Sequence, residues 1–167
     1  MSNAGTRLKV TDDRIELLRG MAVFGALDDD TLRFILGRAQ VVTVPEGEYF
    51  IRQDEVGDAA FALEYGQVIF IKTYQGHDYR MRILKTGDCF AEMALLGLYP
   101  RSGSVRAMKD SQAIRINYEI LADLYERDPR QHTTILMNMA RDLSRRLRDA
   151  DDRLVRYLAA QRRQQKQ

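Results

Sequence analysis

Apolar and polar positions change their spacing twice along the chain, and the changes divide it into three parts. From Thr11 to Gly20 the spacing is helical: Ile15, Leu17 and Leu18 fall on one side, Thr11 stands as N-cap, and Asp12 and Asp13 fill the first turn. Phe24-Gly25-Ala26-Leu27 breaks the pattern. A second helix follows, capped by Asp28 or Asp29, with Leu32, Ile35 and Leu36 on its buried face and Gly37 near its end. From Val41 the period becomes two. Val41–Val44, Tyr49–Ile51, Ala60–Glu64, Gln67–Thr73 and Tyr79–Leu84 read as strands. Val44-Pro45-Glu46-Gly47 reads as a type I turn, Gln53–Asp58 as a polar turn centred on Gly57, and Gln75–Asp78 as a hairpin. In Tyr79–Leu84, Tyr79, Met81 and Ile83 point one way and Arg80 and Arg82 the other. Cys89-Phe90, Ser104–Ala107 and Ser111–Asn117 complete about eight short strands. That count, with glycine at the turns, predicts a sandwich or barrel whose tyrosines and phenylalanines are core.

After Asn117 the period is helical again. Tyr118–Arg127 is one helix; Asp128 as cap and Pro129 at the first position start another. Beyond Pro129 no glycine or proline interrupts it. Thr133, Leu136, Ala140, Leu143, Leu147, Ala150, Leu154, Tyr157 and Gln161 fall at alternating steps of three and four. This is a heptad seam. Packing on the chain's own strands accounts for it to about Leu147, whereas Leu154, Tyr157 and Leu158 are left without an intramolecular partner. Self-association through this helix is therefore expected, with the flanking arginines as a solvated coiled-coil flank. The predicted organisation is a helical segment at 1–40, a β core at 41–117 and C-terminal helices at 118–167.

Composition narrows the function classes. The 167 residues are 45% hydrophobic and 30% charged with a net charge of +2, so the chain as a whole is not a polyelectrolyte binder. No apolar run approaches the ~20 residues of a membrane helix, so no membrane partner is expected. The single Cys89 and the polar N-terminus are those of a cytoplasmic protein, and Cys89 reads as a small core residue. His77 and His132, the two histidines, have no metal-ligand spacing, so neither a metal nor a haem is expected. No nucleophile–base pair stands out, which argues against an enzyme.

The chemistry concentrates in Gly87–Ala107, GDCFAEMALLGLYPRSGSVRA. A short apolar helical turn, Met93–Leu96, lies between two strand-like ends. Glu92 and Arg101 bracket it nine positions apart, among the small residues Ala91, Ala94, Ser102, Gly103 and Ser104. A helix start near Ala91 offers unpaired N–H groups to an anion. The planar fork of Arg101 can hold two oxygens of one phosphate, and the Ser102 hydroxyl can add a donor. Glu92 can only accept and repels a bare phosphate, so it suits a phosphate carried on a sugar hydroxyl. Together these point to a nucleotide.

The order Phe90, Glu92, Ala94, Leu95, then Pro100-Arg101-Ser102, resembles the phosphate-binding cassette of the cyclic-nucleotide-binding domains found in catabolite activator proteins and protein kinase A regulatory subunits. The resemblance covers roughly Phe24 to Leu147. It implies a mainly β fold, a jelly-roll-like β-barrel or β-roll with an N-terminal helical pair and a long C-terminal helix, and Gly47, Gly57, Gly66 and Gly87 at turns. It implies a non-catalytic sensor of cyclic AMP or cyclic GMP. Glu92 would meet the ribose 2′-hydroxyl and Arg101 the cyclic phosphate with Ser102 beside it; Phe90, Ala91, Met93, Ala94, Gly103 and Ser104 would complete the site. Ala91 replaces the family glycine, and a positive φ there would be strained. The C-terminal helix would close over the base, with Arg145, Arg146 and Leu147 at the lid, and pair with its twin in a homodimer. In the bacterial regulators a helix-turn-helix follows this helix; the sequence here ends at Gln167, so direct DNA binding is not expected. The alternatives are a fragment of such a transcription regulator and a dimerisation scaffold that binds no ligand.

Overall fold

The structure is a computed structural model and describes residues 6–97 and 100–164. A two-residue strand, β1 (Thr6–Arg7), precedes helix α1 (Asp12–Gly20), a single 3-10 turn (Ala22–Phe24) and helix α2 (Asp29–Arg38). Asp28 caps α2 by accepting from the Thr31 N–H at 2.8 Å; Thr11 sits at the N-cap of α1 without a side-chain hydrogen bond. Then come β2 (Gln40–Val44), β3 (Tyr49–Ile51), β4 (Ala59–Tyr65), β5 (Gln67–Tyr74), β6 (His77–Lys85) and β7 (Cys89–Phe90). Helix α3 (Glu92–Gly97), β8 (Ser104–Ala107), β9 (Ser111–Asn117), α4 (Tyr118–Arg127) and α5 (Pro129–Gln164) complete the order.

The strands form two antiparallel sheets, β1-β2-β9-β4-β7 and β3-β8-β5-β6. Their edges do not pair among the described residues, so the expected barrel is an open roll. β4 shows why the layers hold together. Its alternate side chains serve different cores. Ala60 and Ala62 face the helices, beside Leu18, Leu32, Ile114 and Met139. Phe61 and Leu63 face the second sheet, beside Phe50, Val68 and Phe90. A strand buried on both faces reads as a continuous apolar run, and small alanines let the helices approach closely.

Several local expectations are corrected. The first turn lies one residue on: the Glu48 N–H reaches the Pro45 carbonyl at 3.1 Å, and Gly47 stands third with φ +85°. The β5–β6 hairpin turns on Gln75-Gly76 alone, both with positive φ, while His77 and Asp78 belong to the strand. Tyr79, Met81 and Ile83 are exposed and Leu84 is buried, because β6 is a sheet edge and the parity set by Leu84 turns Arg82 inward. Tyr65, Tyr74 and Tyr79 are surface residues, not core.

Helix α5 begins as expected, with the Asp128 carboxylate accepting from the N–H groups of Arg130 and Gln131. Its first half is anchored to the N-terminal segment: the Asn138 amide donates to the carbonyls of Val23 and Gly25, at 3.3 and 2.7 Å. The face it buries is Ile135, Met139 and Asp142, with Arg146 half-buried, beside the heptad seam rather than on it. Leu147 is 65% exposed, Leu154 55% and Tyr157 60%.

Candidate functional site

Two charged residues, Glu92 at the start of α3 and Arg101 beyond its end, are almost wholly inside the protein: Glu92 is 2% exposed and Arg101 5%. Buried charges need partners. The guanidinium of Arg101 donates through Nη1 to the carbonyls of Ala59 (2.8 Å) and Ala91 (2.9 Å). Its backbone is tied to the loop after β3, with its N–H on the Glu55 carbonyl and its carbonyl accepting from Asp54. Gly57 in that loop lies so close that a Cβ there would stand 2.2 Å from the Arg101 Nε. The side chain is thus held on one edge, and its Nη2 makes no hydrogen bond among the described residues. Burial lowers the pKa of Arg101, yet a guanidinium stays charged. Ala91 has φ +68°, a conformation that costs an alanine on the order of 1–2 kcal/mol.

Glu92 meets Arg146 of α5. Arg146 donates through Nη1 to the Glu92 Oε1 and through Nη2 to the Cys89 carbonyl at 3.0 Å, and it pairs with Asp142 one helical turn back. Arg145 pairs with Asp142 from the solvent side. The Glu92 Oε2 is buried with no hydrogen-bond partner. Burial raises the Glu92 pKa, against the pull of Arg146.

Both carboxylate and guanidinium line one cavity of about 750 Å³ between the roll and α5. Ile51, Phe70, Leu84, Phe90 and Val105 form its inner wall, and Leu143, Leu147, Leu154 and Tyr157 close it from the helix. Leu154 and Tyr157 border the cavity while staying more than half exposed. Ala91, Met93, Ser102 and Gly103 also line it. Gly103 fits because a Cβ would come 2.5 Å from the Phe70 ring. Ser102 is exposed, with its carbonyl accepting from Lys72. Ser104 is buried and accepts from the Gln53 N–H at 2.9 Å, which fixes the loop behind Arg101. Ala94 lies within α3; its side chain falls outside the description. Of the three lid residues, Leu147 lines the cavity, Arg146 reaches in to Glu92, and Arg145 stays outside.

Residues 41–128 match the family model described as the cyclic nucleotide-binding domain, which is more than half of the chain. The chain belongs to this family. Over 80% of its length it is 30% identical to the cyclic AMP receptor protein of Thermus thermophilus, of which it spans 61%. It is 34% identical to a cGMP-dependent protein kinase of Caenorhabditis briggsae over 56% of its own length and 13% of that protein's. In fold it is similar to a cyclic nucleotide-binding domain from Methylobacillus flagellatus, with a TM-score of 0.79 at 20% identity, covering 91% of this chain and 86% of that one.

Within this cyclic nucleotide-binding domain, sequence reasoning missed three features of the site. Arg82 enters the cavity from β6, a placement its two-residue offset from Leu84 carries once the parity of that strand is known. Gly57, expected at the centre of a turn, is also the floor under Arg101. Asp142 lies four residues before Arg146 on one helix face, and that spacing was the available signal. Among the described residues no group of three His, Cys, Asp or Glu could hold a metal, and no helix is long and apolar enough to cross a membrane.

Proposed function

We propose that the protein is a non-catalytic, cytoplasmic regulatory domain that binds a purine 3′,5′-cyclic nucleotide, cyclic AMP or cyclic GMP, in the cavity between the roll and α5. The observation that carries this reading is the pair of buried opposite charges on one apolar cavity. Arg101 offers a free guanidinium edge to the cyclic phosphate, and the Glu92 Oε2 offers an acceptor to a ribose hydroxyl. Ser102 lies beside the phosphate. Phe90, Ala91, Met93, Ala94 and Gly103 shape the cradle, and Ser104 supports it. Leu143, Leu147 and Tyr157 cover the base. The signal is the repacking of α5, which requires that the ligand bind one position of that helix better than another. The exposed seam of α5 takes the same seam of a second copy, giving a homodimer.

One observation favours the rival, a scaffold without a ligand: Glu92 already has a partner. Titration calorimetry with cyclic AMP, cyclic GMP and their linear 5′-monophosphates separates the two. The proposal expects saturable binding of one cyclic nucleotide per chain, at least tenfold tighter than the linear form. No binding of either cyclic nucleotide supports the scaffold.

A further inference from the structure

Seven methionines stand in the chain, and Met81 and Met93 border the cavity. Both are half exposed, at 50% and 54%. Met81 owes its place to a β-bulge in β6. Phe70 pairs with Arg82 and Ile71 with Arg80, so Met81 has no partner across the sheet. The bulge breaks strict alternation, and Met81 and Arg82 both border the cavity. Met93 is the second residue of α3. From α5, Leu147, Leu154 and Tyr157 border the same cavity, each more than half exposed. Two thioethers thus share one apolar mouth with two leucines and a tyrosine, and solvent reaches all five. A thioether is apolar and polarisable and packs well on such neighbours. Its sulfoxide is polar and loses hydration there without gaining a hydrogen bond.

We propose that Met81 and Met93 form an oxidation site that sets the affinity of the cavity for its ligand, with a peroxide as the oxidant. This rests on the cyclic-nucleotide reading above. The sulfur lone pair attacks one peroxide oxygen, the O–O bond breaks and the S–O bond forms; the second oxygen leaves as water with both protons. The sulfur is oxidised by two electrons and the peroxide is reduced by two. The sulfoxides disfavour the position of α5 in which Leu147, Leu154 and Tyr157 cover the ligand, so oxidation weakens binding. Methionine sulfoxides are reduced enzymatically, so the change is reversible.

The other described methionines serve as internal controls. Met21 and Met139 are buried. Met108 and Met137 are exposed, and neither borders the cavity.

The test treats the parent with hydrogen peroxide, maps the sulfoxides by mass spectrometry, and measures the affinity for a cyclic nucleotide by calorimetry before and after. The same is done on a Met81→Leu, Met93→Leu double variant and on a Met108→Leu, Met137→Leu double variant, each compared with its own affinity before peroxide. Met81 and Met93 should oxidise ahead of Met21 and Met139, and bound nucleotide should slow both. The oxidised parent should bind about fivefold or more weakly, and the Met108→Leu, Met137→Leu protein should lose as much. The Met81→Leu, Met93→Leu protein should keep its affinity through the treatment. A loss in that variant equal to the parent's overturns the proposal, as does a parent that carries sulfoxide at both positions and binds unchanged. If the double variant does not fold, Met81→Leu alone decides: it must lose less than the parent, and an equal loss overturns the proposal. A parent that binds no cyclic nucleotide before peroxide overturns the cyclic-nucleotide reading itself, an outcome distinct from a parent that binds alike before and after.

Discussion

At the scale of single residues, the placement of Arg101 depends on what is absent beside it. Gly57 gives the guanidinium its space, and the nearest atoms a Cβ would meet are the Arg101 Nε, Cζ and Cδ, the far end of a flexible side chain. The arginine, not the backbone, should therefore give way in Gly57→Ala. The variant should fold with nearly the parent's melting temperature while binding cyclic nucleotide about tenfold or more weakly, since a displaced charge-assisted contact costs about 1.5–3 kcal/mol. A thermal melt and a titration check both halves. Glu92 and Arg101 were legible in the sequence because their chemistry is local: an acceptor and a fork around one helical turn. The partnership of Glu92 with Arg146 was not, because it is made by the docking of α5, and no local spacing encodes which turn of a helix meets which strand.

At the scale of elements, period and caps carried most of the reading. β9 and α4 have the bounds expected, and α5 starts at the proline that Asp128 caps. The face of β6 was not legible, since apolar residues on an edge strand need not point inward. The face of α5 was half legible. The helix buries Ile135 and Met139 against its own chain and leaves the heptad seam beside them. Seam residues after Leu147 serve two surfaces, since Leu154 and Tyr157 also line the cavity. A variant that tests pairing alone must avoid them. Leu158 is half-exposed and lies outside the cavity lining. Leu158→Asp should convert a dimer to a monomer at micromolar concentration by placing an unpaired charge in an apolar interface. Light scattering on parent and variant reads this, and a parent that is already monomeric removes the coiled-coil reading.

For the molecule as a whole, the candidate cavity lies between the two-sheet roll and one long helix. The roll supplies Arg101, held by two backbone carbonyls; α5 supplies the cover and the cation that faces Glu92. The central claim is that the buried guanidinium on the roll holds the cyclic phosphate. Calorimetry of the parent and of Arg101→Ala with the same cyclic nucleotide tests it most directly. The parent should bind at one site per chain, and the variant should lose about tenfold to a hundredfold in affinity, the equivalent of one charge-assisted phosphate contact. An Arg101→Ala protein that folds and binds as tightly as the parent would contradict the account.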